Sequence, residues 1–361
     1  MYGQGAIGGV CAGRLRESTA ALGLANYLGW WTGVTTADLD GSGRPVIIAG
    51  NFGLNGPYQP TPEHPERLFY GDWNQSGGVD LLEALDDPEL GTVPRRDLQP
   101  VGAALPFVTA QFPTYLAFGE ASVAKILGSR LAATRELRAN TLGSMLFRPG
   151  AGGGAYQAVL LPAEAQFAPA AAVCVADADG DGREDVFLSQ NFFETNPDVP
   201  RVDSGRGLWL RGDGTGGLTA VPGQVSGVKV YGEQRGAAVA DYDGDGRVDL
   251  VVSQNGGVTK LYHNTQARPG LRVRLRGRPA NPAGIGAQMR LRFPGRSGPV
   301  RELHAGSGYW SQDSAVPVLA TPEAPLEIWV RWPGGRITTS PLPPGAREIA
   351  VAADGTVQVL K

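Results

Sequence analysis

Two stretches of this chain, VADADGDGREDVFLSQN from Val175 and VADYDGDGRVDLVVSQN from Val239, are nearly one string written twice, 64 residues apart. A unit that recurs at a fixed offset points to a repeat architecture, in which each copy is a supersecondary unit that buries its apolar face against its neighbours. Degenerate copies lie upstream, DLDGSGRPVIIAGN from Asp38 and DWNQSGGVDLLEA from Asp72. Every copy is an acidic, glycine-rich loop running into a short apolar run, and the two full copies follow AAVCVA and RGAAVA. That order reads as strand, loop, strand.

Composition agrees with frequent turning between short strands. The 361 residues include 53 Gly and 28 Pro, too many for a helical bundle and suited to an all-β fold. Between the loops, LWLRGDGTGGLTAVP at 208–222 and TKLYHNT at 259–265 supply the further strands that complete four-stranded blades. The expectation is a mainly β chain in which residues 1–269 form about four propeller blades. Residues 85–142 interrupt the series, and Leu116, Val123, Ile126 and Leu127 recur at helical spacing there, so a helical insertion on one blade is expected. After Pro269 the texture changes to LRVRLRGRPANPAGIGAQMRLRF, alternating apolar and Arg positions, so residues 270–361 are expected to form a second, small β-sandwich-like domain.

The loops carry the chemistry. Asp177, Asp179, Asp181 and Asp185 stand at positions 1, 3, 5 and 9 of DxDGDGxxD, with the Arg183 carbonyl at position 7. Alternate carboxylates converge on one ion when the backbone curls, glycine permits the curl, and an all-oxygen donor set suits calcium. Asp241, Asp243, Asp245, Asp249 and the Arg247 carbonyl repeat the design. An EF-hand needs a Glu at position 12 and flanking helices, whereas Leu188 and Val252 stand there, on strands. The 72 loop keeps an oxygen at each position with fewer charges, through Asp72, Asn74, Ser76, Asp80 and the Gly78 carbonyl. The 38 loop offers Asp38, Asp40 and Ser42, but Val46 replaces the closing carboxylate.

Other chemistries find little footing. The net charge of −3, with basic residues spread along the chain, gives no nucleic-acid footprint, and no segment has membrane-spanning length. Cys11 and Cys174 form neither a zinc motif nor a disulfide framework. The N-terminal stretch lacks a basic region before an apolar one, which fits either a start placed inside a longer reading frame or an ordinary cytosolic protein. His64, His263 and His304 occur without HExxH or GxSxG, and the glycine run at 150–155 lacks the strand and helix of a nucleotide loop. The tripeptide Arg211, Gly212, Asp213 reads as turn chemistry rather than an adhesion motif. The aromatic residues Trp30, Trp31, Tyr309, Trp310, Trp329 and Trp332 are expected to fill cores rather than stack on sugars.

The acidic loops resemble the FG-GAP or VCBS repeats of integrin-type β-propellers, in which the loop binds calcium between strands of a blade. The region from residue 271 resembles the ASPIC/UnbV domain of cartilage acidic protein-like and bacterial secreted proteins, at LRGRPANPAGIGAQMRL, GSGYWSQDS and VRWPGGR. The resemblance implies a calcium-stabilised, non-enzymatic recognition or adhesion module, secreted or periplasmic, that presents propeller loops to a protein or glycan. Propellers of that family usually have about seven blades, so the resemblance implies either further blades in a longer protein or a partner that closes the propeller. Two rival expectations stand beside it: a polysaccharide-active enzyme using two carboxylates not committed to calcium, and a structural spacer of a larger secreted protein.

Overall fold

The computed structural model describes residues 16–195, 199–306 and 309–361. Cys11 and part of the GSGYWSQDS block lie outside these residues. The chain is mainly β and is built from several small, almost wholly antiparallel sheets.

Strands β1 (Gly33–Ala37) and β2 (Val46–Gly50) pair antiparallel across the 38 loop. The chain then leaves this sheet. Strands β3 (Glu66–Gly71), β4 (Asp80–Asp87) and β5 (Gly91–Pro94) precede helices α1 (Leu98–Ala104), α2 (Pro106–Gln111), α3 (Tyr115–Gly119) and α4 (Val123–Leu127). Strand β6 (Arg135–Ala139) then returns to β3, giving the sheet order β5-β4-β3-β6. Strands β7 (Met145–Arg148) and β8 (Gln157–Leu160) resume the first sheet, with Ile48 opposite Leu146. Two expectations are corrected here. Helix is confined to 98–133 within the expected insertion of 85–142, whose flanks are strands. The 72 loop also belongs to a sheet inserted between β2 and β7, not to the next repeat in line. Val123, Ile126 and Leu127 enter the apolar core under this sheet, while Leu116 is exposed.

The two full repeats fold alike. Strands β9 (Ala170–Ala176), β10 (Asp185–Gln190), β11 (Leu208–Gly212) and β12 (Leu218–Val221) form one antiparallel sheet in chain order. Strands β13 (Glu233–Ala240), β14 (Asp249–Asn255) and β15 (Gly257–Tyr262) form another. Every residue of β9, AAAVCVA, is buried, because β9 lies between β1 and β13 and is covered on both faces. Unbroken apolar character is what such a doubly covered strand requires. Strand β15 lies at a sheet edge, largely exposed, and carries Lys260, a residue type that discourages pairing with another chain.

From residue 271 two sheets face one another across a single core. The first contains β16 (Leu271–Arg276) and the second β17 (Gln288–Phe293), β18 (Arg296–Ser297) and β19 (Arg301–Glu302). Strand β20 (Val318–Leu319) joins the first sheet, β21 (Glu327–Arg331) and β22 (Ile337–Pro341) the second, and β23 (Glu348–Ala352) and β24 (Val357–Val359) the first. β16 and β23 pair in parallel. Val273, Leu275, Ile349 and Val351 meet Met289, Leu291, Ile328 and Val330 in that core.

Aromatic burial departs from expectation. Of the six rings expected in cores, only Trp332 is buried, at 5% exposure, whereas Trp310 is 91% exposed. Trp30 and Trp31 are exposed too, and Tyr309 and Trp329 are half-buried. Trp30 and Trp31 meet other rings edge-on: Trp30 lies 5.0 Å from Phe52 and 4.9 Å from Tyr58, centroid to centroid, and Trp31 5.8 Å from Phe147.

Candidate metal centre

All four acidic loops connect two antiparallel strands, and in each the carboxylate of the first Asp accepts at least one backbone N–H of its own loop. In the 177 loop, the N–H groups of Gly180 (2.7 Å) and Asp181 (3.1 Å) donate to Asp177 Oδ1, and that of Gly182 (2.7 Å) donates to Oδ2. Gly180 has φ +73°, and a Cβ there would sit 2.6 Å from the Arg268 carbonyl oxygen, so both conformation and space call for glycine. Asp185 is fixed by the N–H groups of Ala178 on Oδ2 and Gly212 on Oδ1, each 2.9 Å away.

The result is a convergence of carboxylates. Asp177, Asp179 and Asp185 each offer an oxygen, and these oxygens lie within 4.8 Å of one another. Asp177 and Asp185 are buried. Burial pushes the Asp177 carboxyl up to about 7; the charges of Glu184, Asp181 and Asp179 add to this, and the Gly182 N–H opposes it. Asp185 is likewise pushed up to about 7 by burial, against its two backbone donors. Asp181 and Asp179 face the Arg211 guanidinium, whose Nη2 lies 3.2 Å and 2.5 Å from them on a half-exposed side chain. The Arg183 side chain lies 3.7 Å from Asp181. A hard, all-oxygen donor set holding two buried carboxylates without a side-chain cation on either, among the described residues, fits calcium.

The 241 loop repeats the backbone frame. Gly244 (2.8 Å) and Asp245 (3.1 Å) donate to Asp241 Oδ1, and Gly246 (2.8 Å) to Oδ2. Tyr242 and Asn264 donate to the two oxygens of Asp249. Its carboxylates group differently, as Asp241, Asp243 and Asp245 on one side and Asp243, Asp249 and His263 on the other. His263 Nδ1 lies 3.4 Å from Asp243 and 3.3 Å from Asp249. Arg247 pairs with Asp245, and Arg272 Nη1 lies 2.6 Å from Asp241 Oδ2. Burial pushes Asp241 up, but Arg272 and the loop N–H groups outweigh it and hold the carboxyl below its ordinary value.

The degenerate loops part company. In the 72 loop, Asp72 accepts the N–H groups of Ser76 and Gly77, Gly78 N–H donates to Ser76 Oγ, and Asn74 Nδ2 donates to Asp80 Oδ1 at 2.9 Å. Its closing carboxylate is thus met by its own amide, in an exposed turn. In the 38 loop, Asp40 accepts the Ser42 N–H, and Asp38 Oδ2 accepts the N–H groups of Gly43 and of Val300 from the C-terminal domain. Asp38 is 1% exposed, and its Oδ1 has no hydrogen-bond partner among the described residues. Burial pushes Asp38 up against those two donors.

Reading the sequence alone missed how the C-terminal domain meets these loops. Arg301 holds the buried Glu184 with Nε at 3.2 Å and with Nη2, and donates from Nη1 to the Val175 carbonyl at 3.1 Å. The one available signal was Glu184 itself, an acid where the second copy has Val248. Asp213 accepts the N–H groups of Thr215 and Gly217, the expected turn chemistry.

Residues 277–357 match the family described as ASPIC and UnbV, a segment that takes in the three sequence blocks of that resemblance but for Leu275 and Arg276. Among solved structures, the chain aligns with one described for specific recognition of non-reducing terminal N-acetylglucosamine by an Agrocybe aegerita lectin. The alignment has 15% identity, covers 66% of this chain and 82% of that one, and has a TM-score of 0.13, too low to assign a shared fold. No curated protein matches the chain. Among the described residues no helix is long and apolar enough to cross a membrane.

Proposed function

We propose that this chain is a calcium-stabilised recognition module, a partial β-propeller of FG-GAP/VCBS type joined to an ASPIC/UnbV domain, that works outside the cytoplasm without catalytic turnover. The observation that carries the reading is the convergence of Asp177, Asp179 and Asp185 within 4.8 Å in a loop that buries Asp177 and Asp185. Calcium bound there would neutralise the clustered charge and tie the end of β9 to the start of β10. Asp177, Asp179 and Asp185 would hold it, with Asp181 at the rim. The propeller reading is supported by β1, β9 and β13, which lie side by side, each in its own sheet, and each run into an acidic loop at the same end. The faces so fixed are proposed to meet a protein or glycan.

The test is thermal unfolding of the chain in millimolar calcium and in chelator, for the wild type and Asp179→Ala. Calcium at about a hundred times its dissociation constant stabilises by roughly 2.7 kcal/mol. A rise of several degrees that Asp179→Ala largely removes supports the reading, and an unchanged midpoint refutes it. Binding to a glycan or protein array then separates recognition from a spacer role.

A further inference from the structure

We infer that Arg272, from the first strand of the C-terminal domain, is the resident cation of the 241 loop, so that of the two near-identical loops only the 177 loop recruits a divalent ion. The inference rests on the calcium reading and divides it between the loops. Their backbone frames correspond residue by residue: Gly180, Asp181 and Gly182 donate to Asp177 as Gly244, Asp245 and Gly246 donate to Asp241. Sequence and curl therefore do not distinguish them. What differs is the group that the following chain brings to position 1.

At the 241 loop that group is a guanidinium. The Asp241 side chain is 0% exposed, and Arg272 Nη1 lies 2.6 Å from its Oδ2 while also donating to the Asp241 carbonyl oxygen at 3.1 Å. Arg272 Nε donates to Glu348 Oε2 at 3.1 Å, so the planar cation is anchored from two sides in a largely buried setting. A divalent ion on Asp241 would have to lie beside this fixed positive charge or expel it. Position 9 is faced as well, since His263 Nδ1 lies 3.3 Å from Asp249.

At the 177 loop the C-terminal domain also brings a guanidinium, Arg301, but it is held by Glu184 and the Val175 carbonyl and not by position 1, and the Arg268 N–H points at the Asp179 carbonyl oxygen, 3.4 Å away. Asp177 has no ion pair among the described residues, only the three backbone N–H donors. Arg211 pairs with Asp179 and Asp181, from a side chain that is 54% exposed and able to swing away. Two copies of one motif thus do different work, one open to an ion and the other a calcium-independent ionic socket for the C-terminal domain.

The experiment is a titration of the full chain with calcium alone, followed calorimetrically, for wild type, Asp179→Ala, Asp243→Ala, Arg272→Gln and Arg272→Gln with Asp243→Ala. Expected is a loss of about tenfold or more in the tightest affinity on Asp179→Ala, little change on Asp243→Ala, and a new site in Arg272→Gln that Asp243→Ala abolishes. Equal losses from Asp179→Ala and Asp243→Ala in the wild-type background overturn the inference while leaving the calcium reading intact. A folded Arg272→Gln chain without the new site overturns it as well. No calcium binding by any of the folded proteins overturns both. If Arg272→Gln does not fold, the comparison of the two Asp variants still decides.

Discussion

Removing divalent ions should make this fold lose stability as pH rises through the neutral range, opposite to the usual behaviour of a carboxylate-bearing protein. Asp177 and Asp185 are each pushed from 3.8 to about 7 by burial. A carboxyl whose folded value lies above its unfolded one contributes stability that is fully present below pH 3.8 and lost as pH rises through about 7. For one group this amounts to roughly 4 kcal/mol, and for two carboxylates sharing a loop it is less than twice that because their titrations are coupled. Calcium binds the deprotonated loop, so saturating ion should flatten or reverse the slope. The assay is urea unfolding followed by tryptophan fluorescence at pH 5, 6, 7 and 8, in EDTA and in calcium. Asp177→Asn, which cannot charge, should lose part of the pH slope in EDTA and most of the calcium gain. An EDTA series whose stability holds or rises from pH 5 to 8 would refute the reasoning.

Two further outcomes concern buried polar groups, one beside the 177 loop and one away from it. Arg301→Met strands the buried Glu184 without its cation and should destabilise by about 3–5 kcal/mol in a denaturant titration; a cost under about 1 kcal/mol would show that Glu184 is neutral in the fold. Gln166→Leu removes the amide that accepts the Ser144 N–H and donates to the Ser144 and Leu161 carbonyls, and should cost about 2–4 kcal/mol by the same measurement, with wild-type stability counting against a structural role.

Much of the local structure was legible because it depends on near neighbours. The glycines of DxDGDG need left-handed backbone, and Gly180, Gly182, Gly244 and Gly246 all have it. The apolar run AAVCVA before the 177 loop read as a strand, and β9 is one. What escaped depends on distant partners. Nothing in the periodicity near Ile48 says that it pairs with Leu146 across an inserted sheet. The alternation LRVRLR gave strand β16 correctly, yet reading its arginines as exposed hid Arg272, which is pinned between Asp241 and Glu348. Two loops of the same motif look equivalent in sequence because the group that separates them arrives from another domain. Aromatic rings were assigned to cores on size alone, whereas Trp30 finds edge-on partners at the protein surface.

The central claim is that the 177 loop holds calcium, and diffraction data from crystals grown in calcium, collected for anomalous signal, test it most directly. The account predicts an anomalous peak bound by oxygens of Asp177, Asp179 and Asp185 at about 2.3–2.6 Å. A well-ordered loop with no peak among those carboxylates would contradict it.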